Sequence, residues 1–349
     1  MDGMTSTPAS QIALDPDATG SAESGAPTRR RRVPRPLMIG GGLAFAALAL
    51  WLAARGVDLH GLAKAFGHVS WVWVAAAGAV NMVTILCQSW AWRLGLAEGG
   101  LGDVPLRHAL AATWIGKAAN QVLPAKLGEV IRVMTIRRHV PAGQGQISKI
   151  VGSLVAQRVV ASVATAIIVA SAVMFLPMPA EVPGGRWAPP LAITGAVAIL
   201  FGVRRLRMGS LIPQRLRTLV GAFTEGAGIL RQSRVALHAL LLQTVGLLAQ
   251  VVTVALLLRA FGVAAPAEAS LLVLALMAIA GVVSAAPGGL GVTQFAIVAP
   301  LGTLYGVGAD IAFAFSLGLQ GTLAAVAIAG GLPAMLHQRL ARPAAPATA

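Results

Sequence analysis

The chain is predicted to fold as an all-α polytopic membrane protein, and three observations carry that prediction. Hydrophobic residues make up 56% of the 349 and charged residues only 11%, with a mean hydropathy of +0.77. Soluble domains run at about 25% charged. About six apolar runs approach the ~20 residues that cross a bilayer core. Two further apolar segments are interrupted in mid-course by proline and glycine. The net charge of +15 does not point to nucleic acid. The arginines cluster at the ends of apolar runs, which is the positive-inside pattern, and such a face attracts anionic lipid headgroups.

Residues 1–36 form a disordered basic tail in this reading. Ser, Thr, Pro, Gly and Ala dominate as far as residue 28, where nothing can build a core, and Arg29–Arg32 with Arg35 follow. Full spans are expected at 37–54, 71–92, 149–176, 188–203, 235–258 and 310–335. Arg93, Arg107, Arg137, Arg138 and Lys149 mark one return to the basic side. Arg204, Arg205, Arg207, Arg215 and Arg217 mark the next, and Arg339 and Arg342 the last. This arrangement places both termini, including a short tail over 337–349, in the cytoplasm. Trp71, Trp73, Trp90, Trp92 and Trp187 read as interface anchors. Asn81, Gln88, Gln243, Gln250 and Gln320 read as interhelical hydrogen-bonders. Residues 208–232 alternate apolar positions with Arg215, Arg217 and Glu225. They fit either an amphipathic helix on the inner leaflet or an ordinary connector.

The two interrupted segments are expected to be re-entrant helical hairpins. Residues 108–136 leave and return on the basic side, broken at Pro124 and Gly128. Residues 269–305 do so on the other side, broken at Pro287, Gly288, Gly289 and Gly291. Proline removes a helix hydrogen bond and glycine permits the turn. Irregular backbone at membrane depth needs shielding by protein or a wet cavity. The spacing Pro-x-x-Leu-Gly occurs in both breaks. Each half, 37–176 and 177–336, reads as span, span, hairpin, span. Three spans per half makes the second copy inverted, a plan that puts a transport site at the repeat interface.

Charge concentrates in the first hairpin. Lys117, Lys126, Glu129 and Arg132 lie within it, and Arg158 lies inside the third span. Glu129 is the one carboxylate placed deep in an apolar region, where a charge costs about 2.5–3.5 kcal/mol even on insertion scales. Glu129 and Arg132 are spaced for an i, i+3 pair, and Arg158 needs the same partner. One reading is a structural ion pair between hairpin and span. The other is a lipid headgroup site, since Arg and Lys suit phosphate and the half-helix after Pro124 offers free N–H donors. In the second hairpin, Thr293 and Gln294 are candidate hydrogen-bond donors beside a backbone that approaches a ligand. Tight helix packing explains the same glycines.

Several chemistries find no motif here. There is no phosphate loop, no His-Glu-x-x-His metal site and no nucleophile elbow. No second deep acid stands beside Glu129 for acid–base work. No catalytic residue, metal ligand or cofactor is assigned. The single cysteine, Cys87, cannot form an intramolecular disulfide.

Trp90-Ala91-Trp92-Arg93, Leu123-Pro124-Ala125-Lys126-Leu127-Gly128-Glu129 with Arg132, Arg158, and Pro287-Gly288-Gly289-Leu290-Gly291-Val292 resemble the flippase-like membrane region of the lysylphosphatidylglycerol synthase family. The resemblance implies a multi-pass protein of the bacterial inner membrane that moves phospholipids between leaflets. It also implies that lysyl transfer is absent, because family members that perform it carry a soluble transferase domain after the membrane part. Members commonly have acids at the positions held here by Gln157, Ala161 and Gln294. That leaves a more positive site, which favours an anionic phospholipid or lipid-linked headgroup. A membrane enzyme that modifies headgroups and a non-transporting accessory to a lipid-modifying enzyme remain the alternatives. The lipid, the energy coupling and the oligomeric state are not fixed by the sequence.

Overall fold

The computed structural model describes residues 44, 47–123, 126–143, 145–175, 228–230, 232–283 and 286–340. Every regular element among them is helical. The expected span 188–203, nearly all of the connector 208–232 and half of the first span 37–54 lie outside the described residues, although 47–54 are helical.

Helix α1 (Leu59–Gly67) begins where the Asp58 side chain accepts from the Gly61 N–H at 3.1 Å, a standard N-cap. The Asp58 N–H donates to Asp310 Oδ1 at 2.8 Å, fastening α1 to the start of the last helix. Helix α2 (Trp71–Leu96) passes into a π-helical turn, Ala97–Leu101, that ends the run. Helices α3 (Leu106–Val122) and α4 (Leu127–Arg137) follow, then α5 (Gln146–Phe175). After the short 3-10 turn Gly228–Leu230 come α6 (Ser233–Ala260), α7 (Ala267–Val283) and a 3-10 turn Pro287–Gly289. Helices α8 (Val292–Tyr305) and α9 (Ala309–Leu340) complete the fold.

Among the described residues four helices are long and apolar enough to cross a membrane: Trp71–Leu101, Gln146–Ala166, Arg234–Ala260 and Ala309–Leu340. Ala267–Gly281 is a shorter apolar helix. The four long ones fall on the expected spans at 71–92, 149–176, 235–258 and 310–335. On α6, Leu237, Leu241, Val245, Leu248 and Val252 recur every third or fourth residue, and protein leaves all of them uncovered. Such a stripe is lipid-facing in a chain whose helices need apolar surroundings.

Two interrupted segments fold back on themselves. In the first, Gly128 N–H donates to Asn120 Oδ1 at 2.8 Å, and His139 stacks on His108 with ring centroids 4.0 Å apart, so α3 and α4 run antiparallel. In the second, Ala280 clusters with Val292, and Ala269 and Val273 with Ile297 and Leu301. α7 and α8 are therefore antiparallel too. At about 25 Å and 16 Å for α3 and α4, each arm is shorter than the ~30 Å bilayer core.

Among the described helices the most extensive packing is that of α2 along α6. Thr84 Oγ1 donates to the Gly246 carbonyl at 2.9 Å, and Thr253 Oγ1 to that of Ala77. Helix α9 packs on α3, and α5 packs on α7. One apolar core joins α6 to α9 with α1 and the start of α2. A second joins Trp92 and Leu96 to Val133, Ile136, Ile150 and Leu154. Ile229 is buried against Ala91, Ala156, Val160 and Ala239.

Candidate functional site

Helices α2 to α6 and α9 enclose a cavity of about 370 Å³ whose wall is mostly polar. Helix α2 contributes Asn81, Thr84, Ile85 and Gln88. Helix α3 contributes Thr113, Gly116, Lys117, Asn120 and Gln121, α4 Glu129 and Arg132, and α5 Gln157, Arg158 and Ala161. Gln243 and Gln250 of α6 and Leu323 and Ala327 of α9 close the far side.

The break between α3 and α4 aims the charges inward. Lys126, in the left-handed region at φ 55°, starts α4. Glu129 then falls in the helix's first turn, where the dipole favours a carboxylate. Gly116 faces Gly128 and the Arg132 stem so closely that a side chain on either glycine would collide with the other helix. This close approach is what brings Lys117 and Arg132 to one cavity.

Arg132 is the most elaborately held group. It is buried, with its guanidinium 3.9 Å from the centre of the Trp92 ring, a cation–π contact. Its Nη2 donates to Gln157 Oε1 at 3.1 Å, and Nη1 lies 3.7 Å from Glu129 Oε2. Gln157 in turn donates through Nε2 to the Gln88 carbonyl at 2.6 Å. Trp92 is fixed by its own donation from Nε1 to Ser153 Oγ at 3.2 Å. Arg158 Nη2 donates to Glu129 Oε1 in a close ion pair, yet 66% of its side chain is uncovered by protein. Arg158 therefore stands at the open rim.

Three cations, Lys117, Arg132 and Arg158, thus share one carboxylate. Lys117 makes no hydrogen bond or ion pair among the described residues. Arg132 Nε and Glu129 Oε2 are buried without a hydrogen bond. Unsatisfied donors and surplus positive charge in a cavity of this size can receive an anion, because charge-assisted bonds from Arg and Lys are the strong ones.

The structure thus brings four of the sequence-predicted residues together: Lys117, Glu129, Arg132 and Arg158. Lys126 is exposed at the hairpin tip and does not line the cavity. Thr293 and Gln294 do not line it either. Thr293 Oγ1 donates to the Gly289 carbonyl at 3.0 Å. Gln294 is buried, accepting from the Gly291 N–H at 2.7 Å and donating to Gln320 Oε1 at 2.7 Å. Gln320 Nε2 donates onward to the Gly288 carbonyl. Gly291 has no side chain to cap α8, so Gln294 caps it from within. Gly288 nevertheless lies beside Gln121, which lines the cavity.

Two sequence readings need correction. Trp92 is not an interface anchor, because it is fully buried beneath Arg132. Trp71 is largely uncovered, and Trp73 and Trp90 are partly exposed. Of the amides expected to bond between helices, Gln320 does so, pairing with Gln294 of α8, whereas Asn81, Gln88, Gln243 and Gln250 line the cavity. The signal for that role is their number. Side-chain amides inside several apolar spans are tolerable when they face a wet space.

No curated protein matches the chain. The family described as the lysylphosphatidylglycerol synthase TM region matches residues 39–331, which include the whole cavity, and the chain belongs to that family.

Proposed function

We propose that the chain is an integral membrane lipid translocase of the bacterial inner membrane, moving an anionic phospholipid or lipid-linked headgroup between leaflets. The observation that carries this reading is the polar cavity in which Lys117, Arg132 and Arg158 outnumber Glu129. Membership of the family supports a lipid-handling role. Between substrates Glu129 serves as a resident counter-ion, since a buried cation without a partner costs several kcal/mol. An arriving phosphate replaces Glu129 at Arg158 on the open rim and gains Lys117 and Arg132 Nε deeper in. Its acyl chains stay in the bilayer beside the rim.

In this reading α3–α4 and α7–α8 are re-entrant hairpins of an inverted repeat. Two packing relations support it. The second expected spans of the two halves, α2 and α6, pack on each other. The third span of each half, α5 and α9, packs on the hairpin of the other. Rocking of such halves would expose the cavity to alternate leaflets, with both termini cytoplasmic.

Proteoliposomes carrying fluorescent phosphatidylglycerol test the proposal. We expect leaflet exchange above that of protein-free vesicles. Lys117→Ala and Arg158→Gln should lower it roughly tenfold, the size of one lost charge-assisted hydrogen bond. Exchange that is equal in wild type and both variants would sink the cavity as the route. Headgroup turnover by the purified protein would establish the enzyme reading instead.

A further inference from the structure

A second concavity, of about 240 Å³, lies on the opposite side of α4. Its floor and walls are Ile115 of α3, Val130, Ile131 and Met134 of α4, and Met335 of α9. Arg138, Gln338 and Arg339 stand at one end. It shares no lining residue with the charged cavity. Helix α4 separates the two spaces: Glu129 and Arg132 face one, Val130 and Met134 the other.

The geometry points to a resident anionic phospholipid in this groove, one acyl chain along Val130, Met134 and Met335 and its phosphate on Arg138, Arg339 and Gln338. Three observations support that occupant. The two arginine side chains make no ion pair or hydrogen bond among the described residues, although Arg138 caps the end of α4, Arg339 lies in the last turn of α9 and both line the same concavity. Gln338 Nε2 is buried with no acceptor, and a buried donor is costly until it finds one. The apolar part is left uncovered, with Val130 at 52% and Met134 at 42%. Charge complementarity therefore selects an anion and the floor selects a hydrocarbon, which together describe a lipid of the leaflet on the basic side.

The groove also has a structural consequence. Helix α4 packs on α3 and α5 and makes little direct contact with α9. A lipid wedged there braces the charged hairpin from behind. It is a site of attachment rather than a passage, and the inference does not depend on translocation.

The test uses the full-length chain, delipidated in neutral detergent and titrated with phosphatidylglycerol or phosphatidylcholine. Bound lipid is counted by native mass spectrometry. We expect a class of phosphatidylglycerol binding that weakens roughly fivefold for each of Arg138→Gln and Arg339→Gln, the share of one interfacial charge. Lys117→Ala and Arg158→Gln should leave that class unchanged. Val130→Trp fills the groove, keeps both arginines and should weaken the same class. Unchanged binding in the two arginine variants and Val130→Trp would overturn the proposal, as would equal binding of phosphatidylcholine. Loss only in Lys117→Ala and Arg158→Gln would overturn it too, while leaving the translocase reading standing.

Discussion

The two helical hairpins share one plan, two antiparallel helices joined at a proline–glycine break, and differ in what holds their tips. The α3–α4 tip is closed by a glycine-to-glycine approach and by an Asn120 side chain; Glu129 and Arg132 just beyond it line the cavity, while Lys126 at the tip stays exposed. The α7–α8 tip carries no charge. It is closed by amides, with Gln294 and Gln320 bonding each other and the backbone of Gly288 and Gly291. The first hairpin is therefore organised around a charged cavity and the second around itself. The difference teaches that a shared break in sequence does not imply a shared task.

The sharpest test of that contrast compares one buried polar residue from each hairpin. Arg132→Ala removes the guanidinium that Trp92, Gln157 and Glu129 all engage. Breaking a buried pair in this way costs about 3–5 kcal/mol. Gln294→Ala leaves one backbone N–H and one amide unpartnered, at about 1–3 kcal/mol. We expect thermal unfolding in detergent to rank Arg132→Ala as the more severe, with Arg132→Lys a poor substitute because an ammonium lacks the planar fork. A Gln294→Ala loss that equals or exceeds that of Arg132→Ala would reverse the comparison.

Glycine replacement gives a smaller but cleaner contrast. A Cβ at Gly128 would meet the Gly116 carbonyl and the Asn120 amide, which belong to the helix that α4 must touch. Gly128→Ala should therefore cost about 1–3 kcal/mol by overpacking and lower cavity function with it. Gly288 has φ 60°, and the nearest obstacle is Gln121 Oε1 at 2.7 Å, the movable end of a side chain. Gly288→Ala should cost only the left-handed backbone, about 1–2 kcal/mol, and leave headgroup binding near wild type. Equal loss of binding in the two variants would mean that the second tip contributes to the site after all.

Much of this architecture is legible in the amino-acid sequence. The apolar runs mark the long helices α2, α5, α6 and α9, because a bilayer demands continuous apolar length. The breaks at Pro124–Gly128 and Pro287–Gly291 mark the tips, because few other residues stop a helix inside an apolar run. The pairing of Glu129 with both Arg132 and Arg158 follows from scarcity, there being one deep carboxylate to share. Side-chain direction is what the letters do not carry. Trp92 sits near a helix end like Trp90, two positions away. On a helix such neighbours point to different faces, so one is uncovered and the other lies under Arg132. Gln294 reads as a donor for a ligand because nothing in the letters says that Gly291 needs it first.

The smallest expected effect distinguishes the hairpins by pH. At the open end of the first, in the opening turn of α3, His108 stacks on His139 near Arg107 and His337. Partial burial, then the neighbouring positive groups His139, Arg107 and His337, hold its pKa below the ordinary value of about 6.5. The second hairpin has no histidine. Because the folded pKa is the lower one, the unfolded chain takes up the proton first as pH falls. Stability contributed by His108 is present above pH 6.5 and is lost as pH drops through that value toward the folded pKa. The side chain is only partly covered, so solvent screening keeps the loss small. Melting temperatures at pH 7.5 and 5.5 should show a wild-type decrease that His108→Gln reduces, with high salt narrowing the gap between them. If His108→Gln loses as much on acidification as wild type, the stacked pair is inert, and the two hairpins differ in their tips alone.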